Sequence, residues 1–227
     1  MKSVLLILLI TGAVAISSPV LSTQLEMLQS QESMDRPCCG PITTEGKKIL
    51  SILDSSNVEH LWLNHEYVNW ETGEQESSTE DLGHGNHSHC SAFAAAIGER
   101  LGVYMLRPPE HSQILLANAQ TKWFGSSKGK ESGWRSVGDA MSAQQLANEG
   151  FLVVISYESS NPDKPGHIVI VRPSLISLSS LQMNGPKITQ AGAENILEGN
   201  ASDAFSHHPG AWPNGVKYFV HNVPINN

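Results

Sequence analysis

Residues 84–102 have the sequence His-Gly-Asn-His-Ser-His-Cys-Ser-Ala-Phe-Ala-Ala-Ala-Ile-Gly-Glu-Arg-Leu-Gly. A loop rich in glycine and histidine leads here into an alanine-rich segment, which predicts a helix that begins at Cys90, with Ser88 as its N-cap and Gly102 just past its end. The amides of a helix's first turn are unpaired and the macrodipole favours negative charge, so a thiol at this point is biased toward thiolate. We therefore interpret Cys90 as a candidate catalytic nucleophile.

One face of the predicted helix is apolar. Side chains at spacings of three and four share a helix face, and the residues that share the face of Cys90 are Phe93, Ala94, Ile97 and Leu101. This face is expected to pack on a sheet, which would leave Cys90 at the rim, partly covered yet reachable.

Other segments also have the patterns of regular structure. Apolar periodicity predicts helices over residues 43–53, 112–120 and 141–148. Runs rich in β-branched and aromatic residues predict strands over residues 58–64, 66–73, 151–157, 167–172, 187–191 and 216–221. The strands 151–157 and 167–172 are expected to form a hairpin. Polar segments 74–89 and 125–133 are predicted loops, the second a candidate flexible lid.

A thiolate nucleophile needs a base within hydrogen-bond reach, and the base usually needs a third group to orient it. Among ten histidines, His167 has the most favourable setting, because it follows Pro-Gly and opens a predicted buried strand. The alternative is a histidine at a hairpin tip with no chemical role. Gln190, on a predicted neighbouring strand, is the expected orienting residue, because its amide oxygen can accept from an imidazole N–H. Asn195 is the second choice for that role.

Composition and charge exclude several functions. The formal net charge is −8 and no block of Lys or Arg is present, which argues against nucleic-acid binding.

The first 22 residues have the pattern of a secretory signal peptide, with Lys2, an apolar run over residues 4–16 and small residues near Ser22. We expect a secreted or periplasmic protein with no membrane span in the mature chain. Residues 23–42 are a predicted polar linker or N-terminal extension, and residues 43–227 a single domain.

The chain has three cysteines, so at least one thiol is left unpaired within the chain. Adjacent Cys38 and Cys39 form either a vicinal disulfide or a pair of exposed thiols. A bridge from either one to Cys90 would exclude catalysis by Cys90.

Three histidines near Cys90 raise the alternative of a metal site, since zinc is bound by His and Cys. They are His84, His87 and His89. However, the sequence lacks a His-x-x-x-His motif, and adjacent His89 and Cys90 are poorly placed to bind one tetrahedral ion. The sequence therefore predicts neither a metal nor a cofactor.

Five motifs occur in order over residues 85–195. They are Cys90 at a helix start, Gly133-Trp134-x-x-Val137, Ala147-Asn-Glu-Gly150 before a strand, Pro165-Gly-His-Ile-Val-Ile-Val-Arg-Pro173, and Gly185-Pro-x-Ile-x-Gln190-Ala-Gly192. Together they resemble the NlpC/P60-like superfamily of papain-like cysteine hydrolases, close to the CHAP-type amidases. The histidine-rich approach to Cys90, the long preceding segment and the lack of a wall-binding repeat depart from the commoner family pattern.

The resemblance implies an α+β fold of papain-like NlpC/P60 type, in which the cysteine-bearing helix packs on a small antiparallel sheet. It implies Cys90 as nucleophile, His167 as general base and Gln190 as third residue. It also implies cleavage of amide bonds in peptidoglycan peptides through a thioester, with the backbone N–H of Cys90 and a donor such as His89 holding the oxyanion. The alternatives are a non-catalytic cell-wall or protein-binding module, an acyltransferase or protease that uses the same cysteine, and a metal-dependent hydrolase.

Overall fold

The fold is taken from a computed structural model, which describes residues 19–76 and 88–224. Apolar runs with strand propensity alternate with helical segments along this part of the chain. The described residues form eight helices, which are α1 (Pro19–Asp35), α2 (Thr44–Asp54), α3 (Cys90–Arg100), α4 (Leu116–Gly125), α5 (Ser127–Glu131), α6 (Ala140–Glu149), α7 (Leu178–Asn184) and α8 (Ala201–Ala204).

Six strands of the described chain form one antiparallel sheet in the order β1-β6-β2-β3-β4-β5. The strands are β1 (Arg135–Val137), β2 (Leu152–Tyr157), β3 (His167–Val171), β4 (Lys187–Gln190), β5 (Ile196–Asn200) and β6 (Lys217–His221). The predicted α+β class is therefore confirmed, together with a sheet on which the cysteine-bearing helix packs.

The central strands β2 and β3 are buried on both faces, and the alternation of their side chains divides the core in two. The core beneath α3, which we call the α3-face core, takes Ile168 and Ile170 from β3 and includes Cys90 and Phe93. The opposite-face core takes the intervening residues of β3 and packs against α6 and α8. Its members include Val169, Val171, Tyr157, Ala143, Ala147 and Phe205. Each residue of the central hairpin therefore belongs to one face or the other.

The strongest sequence patterns correspond to observed elements. The helix predicted over 43–53 is α2, whose first turn is capped by the Thr43 side chain, and that over 141–148 is α6, which ends at the left-handed Gly150. The predicted hairpin of 151–157 and 167–172 is β2–β3, with Tyr157 opposite His167. The later predicted strands are β4 and β6. Long apolar runs and apolar periodicity thus identified these parts of the scaffold.

Several local predictions were wrong. Residues 58–64 form turns instead of a strand, because Asn57 and Trp62 adopt positive φ angles that interrupt an extended chain. Residues 66–73 contribute only an isolated bridge between Val68 and Gln75. The helix predicted over 112–120 begins later, at Leu116.

The predicted lid at 125–133 is also wrong for the most part. This segment contains the short helix α5, whose Gly129 is buried against the backbone of Trp123 and Phe124. Residues 74–89 are described only at their two ends, so the loop prediction for 77–87 lies outside the described residues.

The segment before residue 43 is more ordered than its polar composition indicated. Residues 19–35 form α1, since the segment has no glycine or internal proline to interrupt a helix, and residues 22–32 are exposed. Cys38 and Cys39 are bonded to each other, and Cys38 N–H donates to the Ile176 carbonyl. The Asn148 amide donates to the Cys39 and Gly40 carbonyls. Residues 37–43 are therefore held against the sheet domain.

The signal peptide predicted over 1–22 lies almost wholly outside the described residues. Within residues 19–76 and 88–224, none of the helices combines the length and apolar character needed to cross a bilayer.

Candidate active site

Cys90 is the first residue of α3, as predicted, and it is a free thiol whose side chain is 4% exposed. The N-cap position is occupied by His89, without a side-chain capping bond, so the prediction of Ser88 as N-cap was wrong. Every residue of α3 from Cys90 to Gly98 is buried, since its small alanine side chains allow close packing on all sides. The thiol therefore lies on a helix that is fixed by the core.

Burial raises the pKa of the Cys90 thiol above its ordinary value, although the backbone of Ile168 and the Ser88 side chain oppose that shift. The helix N-terminus was expected to favour thiolate, but desolvation outweighs it here. Cys90 is thus a neutral thiol in the resting structure at neutral pH.

A cavity of about 250 Å³ opens beside Cys90. One wall is formed by the end of the loop and the first turn of α3, through Ser88, His89 and Ser91. The facing wall is formed by the start of α4 and the turn before β3, and its members are Gln113, Ile114, Leu115, Leu116, Ala117 and Pro165. The thiol thus borders a space that a substrate group could enter.

Two buried amides on α4 hold these walls together. Gln120 donates to the carbonyls of Ser91 and Leu106, which ties α4 to the start of α3. Asn118 donates to the Lys164 carbonyl and accepts from Ser159 N–H, which ties α4 to the β2–β3 turn. Because buried hydrogen bonds resist rearrangement, the cavity is preformed.

His167 and Gln190 form a hydrogen-bonded pair. His167 Nε2 lies 2.8 Å from Gln190 Oε1, and the Gln190 amide nitrogen donates to the Glu194 carbonyl at 3.1 Å. The second bond fixes which end of the amide faces the imidazole, so Nε2 carries the hydrogen and Nδ1 carries the lone pair. No residue in the described part of the chain hydrogen-bonds to Nδ1. The imidazole is therefore oriented so that the Nδ1 lone pair is not used within the described chain.

His208 and Phe205 complete the surroundings of His167. The two imidazole rings are stacked with centroids 4.9 Å apart and planes within 12°, and Phe205 meets the His167 ring edge-on at 5.2 Å. Burial lowers the pKa of His167 to about 4, while the bond to Gln190 opposes the shift. Burial also lowers the pKa of His208 to about 4, with smaller contributions from the neighbouring His167 and His207. Both rings are neutral at pH 7.

Sequence reasoning missed His208 as a neighbour of His167. It lies in a turn after α8, and no periodic pattern connects it with β3. The only available signal was the His207-His208-Pro209 sequence itself, which a surface loop explains equally well. Long-range packing of α8 on the opposite-face core brings it to His167.

Asn195, the second choice for orienting the base, does not contact His167. Its amide donates to the carbonyls of Val58, Leu61 and Trp62, and its oxygen accepts from Gly192 N–H. Asn195 therefore fixes the turn after β4 to the irregular segment 58–62. Of the two residues considered, Gln190 occupies the position beside the imidazole.

The structure places Cys90 and His167 close along β3 but on different faces of the sheet. The thiol lies against the backbone of Ile168, the residue that follows His167. The His167 ring contacts Phe205, a member of the opposite-face core, and stacks on His208. Within the described residues, no hydrogen bond joins the Cys90 thiol to His167. The two side chains therefore lie on opposite sides of β3.

No group of three or more metal-ligating side chains occurs in residues 19–76 and 88–224. His84 and His87 lie outside those residues. The His89 ring is held by a 2.9 Å contact between its Nε2 and the Glu66 carbonyl.

Comparison with known proteins gives no family for this chain. A search against protein-family models found no match, and a search of curated proteins found no significant similarity.

Proposed function

We propose that this protein is a cysteine hydrolase of papain-like, NlpC/P60-type organisation that cleaves amide bonds through Cys90. The observation that carries the proposal is the free Cys90 thiol at the start of α3, bordering a preformed cavity. Support comes from the hydrogen bond between His167 at the start of β3 and Gln190 at the end of β4, since the Cys90 thiol lies against Ile168, the residue after His167.

The chemistry begins from two neutral groups. Cys90 Sγ attacks the carbonyl carbon of the amide, and its proton passes to His167 Nδ1. The same proton then goes to the leaving amine as the carbon–nitrogen bond breaks and a thioester remains. Water attacks the thioester with His167 as base, and the carboxylic acid and free thiol are released. Because the Cys90 and His167 side chains occupy different faces, the proton transfer requires a shift at the strand end or one bridging water.

The backbone N–H of Cys90, in the first turn of α3, is the proposed oxyanion donor. It has no partner within the helix and lies at the positive end of the macrodipole. A donor fixed in the backbone would need no reorganisation as negative charge develops on the substrate oxygen.

Peptidoglycan peptides are the proposed substrate, and secretion or the periplasm the proposed location. The order of motifs around Cys90 and His167 and the apolar segment at residues 4–16 support both. Product analysis separates hydrolysis from acyl transfer, which the same thioester could also perform.

The test is a digest of purified muropeptides followed by mass spectrometry. Wild type should release new carboxyl and amine termini, and Cys90→Ala should release none with an unchanged circular dichroism spectrum. The exposed His60→Ala variant serves as a control and should match wild type. Turnover retained by Cys90→Ala would exclude Cys90 as the nucleophile.

A non-catalytic binding module is the second candidate. It is favoured by the placement of Cys90 and His167 on opposite faces and by the absence of a hydrogen bond between them in the described chain. This alternative predicts that wild type binds a muropeptide without cleaving it. It also predicts that iodoacetamide labelling of Cys90 is unaffected by His167→Ala.

A further inference from the structure

The cavity beside Cys90 has an apolar wall. Its apolar lining residues are Ile114, Leu115, Leu116, Ala117 and Pro165, and none of the described lining residues is Asp, Glu, Lys or Arg. We propose that this cavity is the subsite for an uncharged, apolar side chain on the acyl portion of the substrate, next to the bond that Cys90 attacks. This assignment rests on the proposed hydrolase function and narrows its substrate class.

The rim of the cavity is formed by an exposed aliphatic residue. Ile114 is 82% exposed although its neighbours Leu116 and Ala117 are buried. Covering such a side chain with a ligand is favourable at about 25 cal/mol per Å² of apolar surface. The exposed Ile114 side chain is therefore placed to pack against an apolar substrate group that enters the cavity.

The backbone holds this rim in place. Leu115 has a φ of 54°, in the left-handed region that a branched side chain rarely adopts. Ile114 N–H donates to the Ser112 hydroxyl, and the carbonyls of Gln113 and Leu115 accept from Leu116 and Asn118. Unusual backbone geometry persists where its surroundings fix it, and such positions are frequent at ligand sites.

The lining of the cavity also disfavours a charged substrate group. A carboxylate that entered this cavity would lose water without meeting a cation among the described lining residues, which is costly. The backbone amide at Cys90 remains available for the substrate carbonyl. Substrate pockets commonly combine an apolar lining with a few fixed polar groups, and this cavity has that composition.

The test is a series of N-acetyl-aminoacyl 4-nitroanilides with Asp, Ala, Val or Leu as the acyl residue. Each buried methylene contributes about 0.8 kcal/mol, so kcat/KM should rise about fourfold per added methylene from Ala through Val to Leu. The Asp substrate should be the poorest. Equal rates for all four, or a preference for Asp, would overturn the subsite.

Binding to Cys90→Ala separates this proposal from the proposed function. N-acetyl-leucinamide and N-acetyl-aspartamide are titrated into the full-length variant and followed by NMR, which needs no turnover. Leucine binding about tenfold tighter or more supports the subsite, even if no hydrolysis occurs and the hydrolase proposal fails. Equal affinity, or no binding of either compound, rejects the subsite.

Substitutions at two exposed residues test whether the preference for Leu over Ala depends on the cavity rim. Ile114→Asp should lower the preference for Leu over Ala by about tenfold, since it places a charge at the rim. Met183→Asp is the matched control, because Met183 is also exposed, at 74%, but lies on α7 away from the cavity. Both variants should keep the wild-type melting temperature. An unchanged preference in Ile114→Asp would remove Ile114 from the subsite.

Discussion

The two faces of the sheet differ in how they surround Cys90 and His167, the two main residues of the proposed site. On the α3 face, Cys90 borders an open cavity, and apolar side chains cover the facing wall. On the opposite face, His167 is enclosed by Gln190, His208 and Phe205, so that its ring has little freedom. One face leaves room for a ligand and the other fixes an orientation. A papain-like mechanism needs both properties, but it also needs a route for the proton from Cys90 to His167 at the end of β3.

The largest expected effect comes from removing the proposed base, which would end proton transfer between the two faces. His167→Ala should lower kcat by a factor of about 10² to 10⁴, the usual contribution of a general base, while the unfolded fraction stays negligible. The measurement is kcat for the anilide series at pH 7.5. His208→Phe keeps a ring stacked on His167 and should retain most of the activity. If His167→Ala has wild-type kcat, the two faces act independently and His167 is not the base.

The next effect concerns stability against acid. The pKa of His167 is lowered to about 4 in the folded state from an ordinary value near 6.5, so the unfolded chain binds the proton more readily. The neutral imidazole therefore stabilises the fold fully above pH 6.5. About 3 kcal/mol of this stability is lost as the pH falls from 6.5 to 4.

Urea unfolding between pH 7 and pH 4 measures this loss. In that window, His167→Gln should reduce the slope of the free energy of unfolding against pH by up to about 1.4 kcal/mol per pH unit. His60→Gln is the control, because His60 is an exposed histidine outside the His167 cluster. A wild-type slope in His167→Gln would mean that the buried ring does not control acid stability.

The smallest expected effect lies in the turn that links the two faces. A β-carbon at Gly166 would collide with the Tyr157 carbonyl and Asn118 Oδ1, so Gly166→Ala should destabilise the fold by about 1–3 kcal/mol. Gly138→Ala is the matched control, since a β-carbon there meets nothing within 4 Å. Thermal unfolding compares the two variants. Equal melting temperatures would show that the turn can move without cost.

The sequence alone predicted the parts of this fold that have strong local signals. The apolar run of β2 and the helices α2 and α6 follow from the periodicity of apolar residues, and the helix that starts at Cys90 follows from its alanine-rich sequence. In contrast, β1 and β5 are short and partly exposed, and their pairing with neighbouring strands defines them. Their own residues carry little strand signal.

The sequence does not determine which face of the sheet the His167 side chain occupies, for a specific reason. β3 is buried on both sides, so Ile168 and Val169 are equally apolar and no polar residue marks an outer face. Strand alternation groups His167 with Val169 and Val171, but which face meets α3 depends on how the helices pack. Gln190 could be chosen as a partner because β4 neighbours β3, whereas His208 depends on a long-range contact.

The attachment of Asn148 has a practical consequence for handling the protein. This one buried side chain bonds to the carbonyls of Cys39, Gly40 and Ser174, and to Ser174 N–H. A truncated version that begins at residue 43 would leave part of the amide without partners. An expression boundary placed before Arg36 keeps those bonds, so shortened proteins for crystallisation or screening should start there.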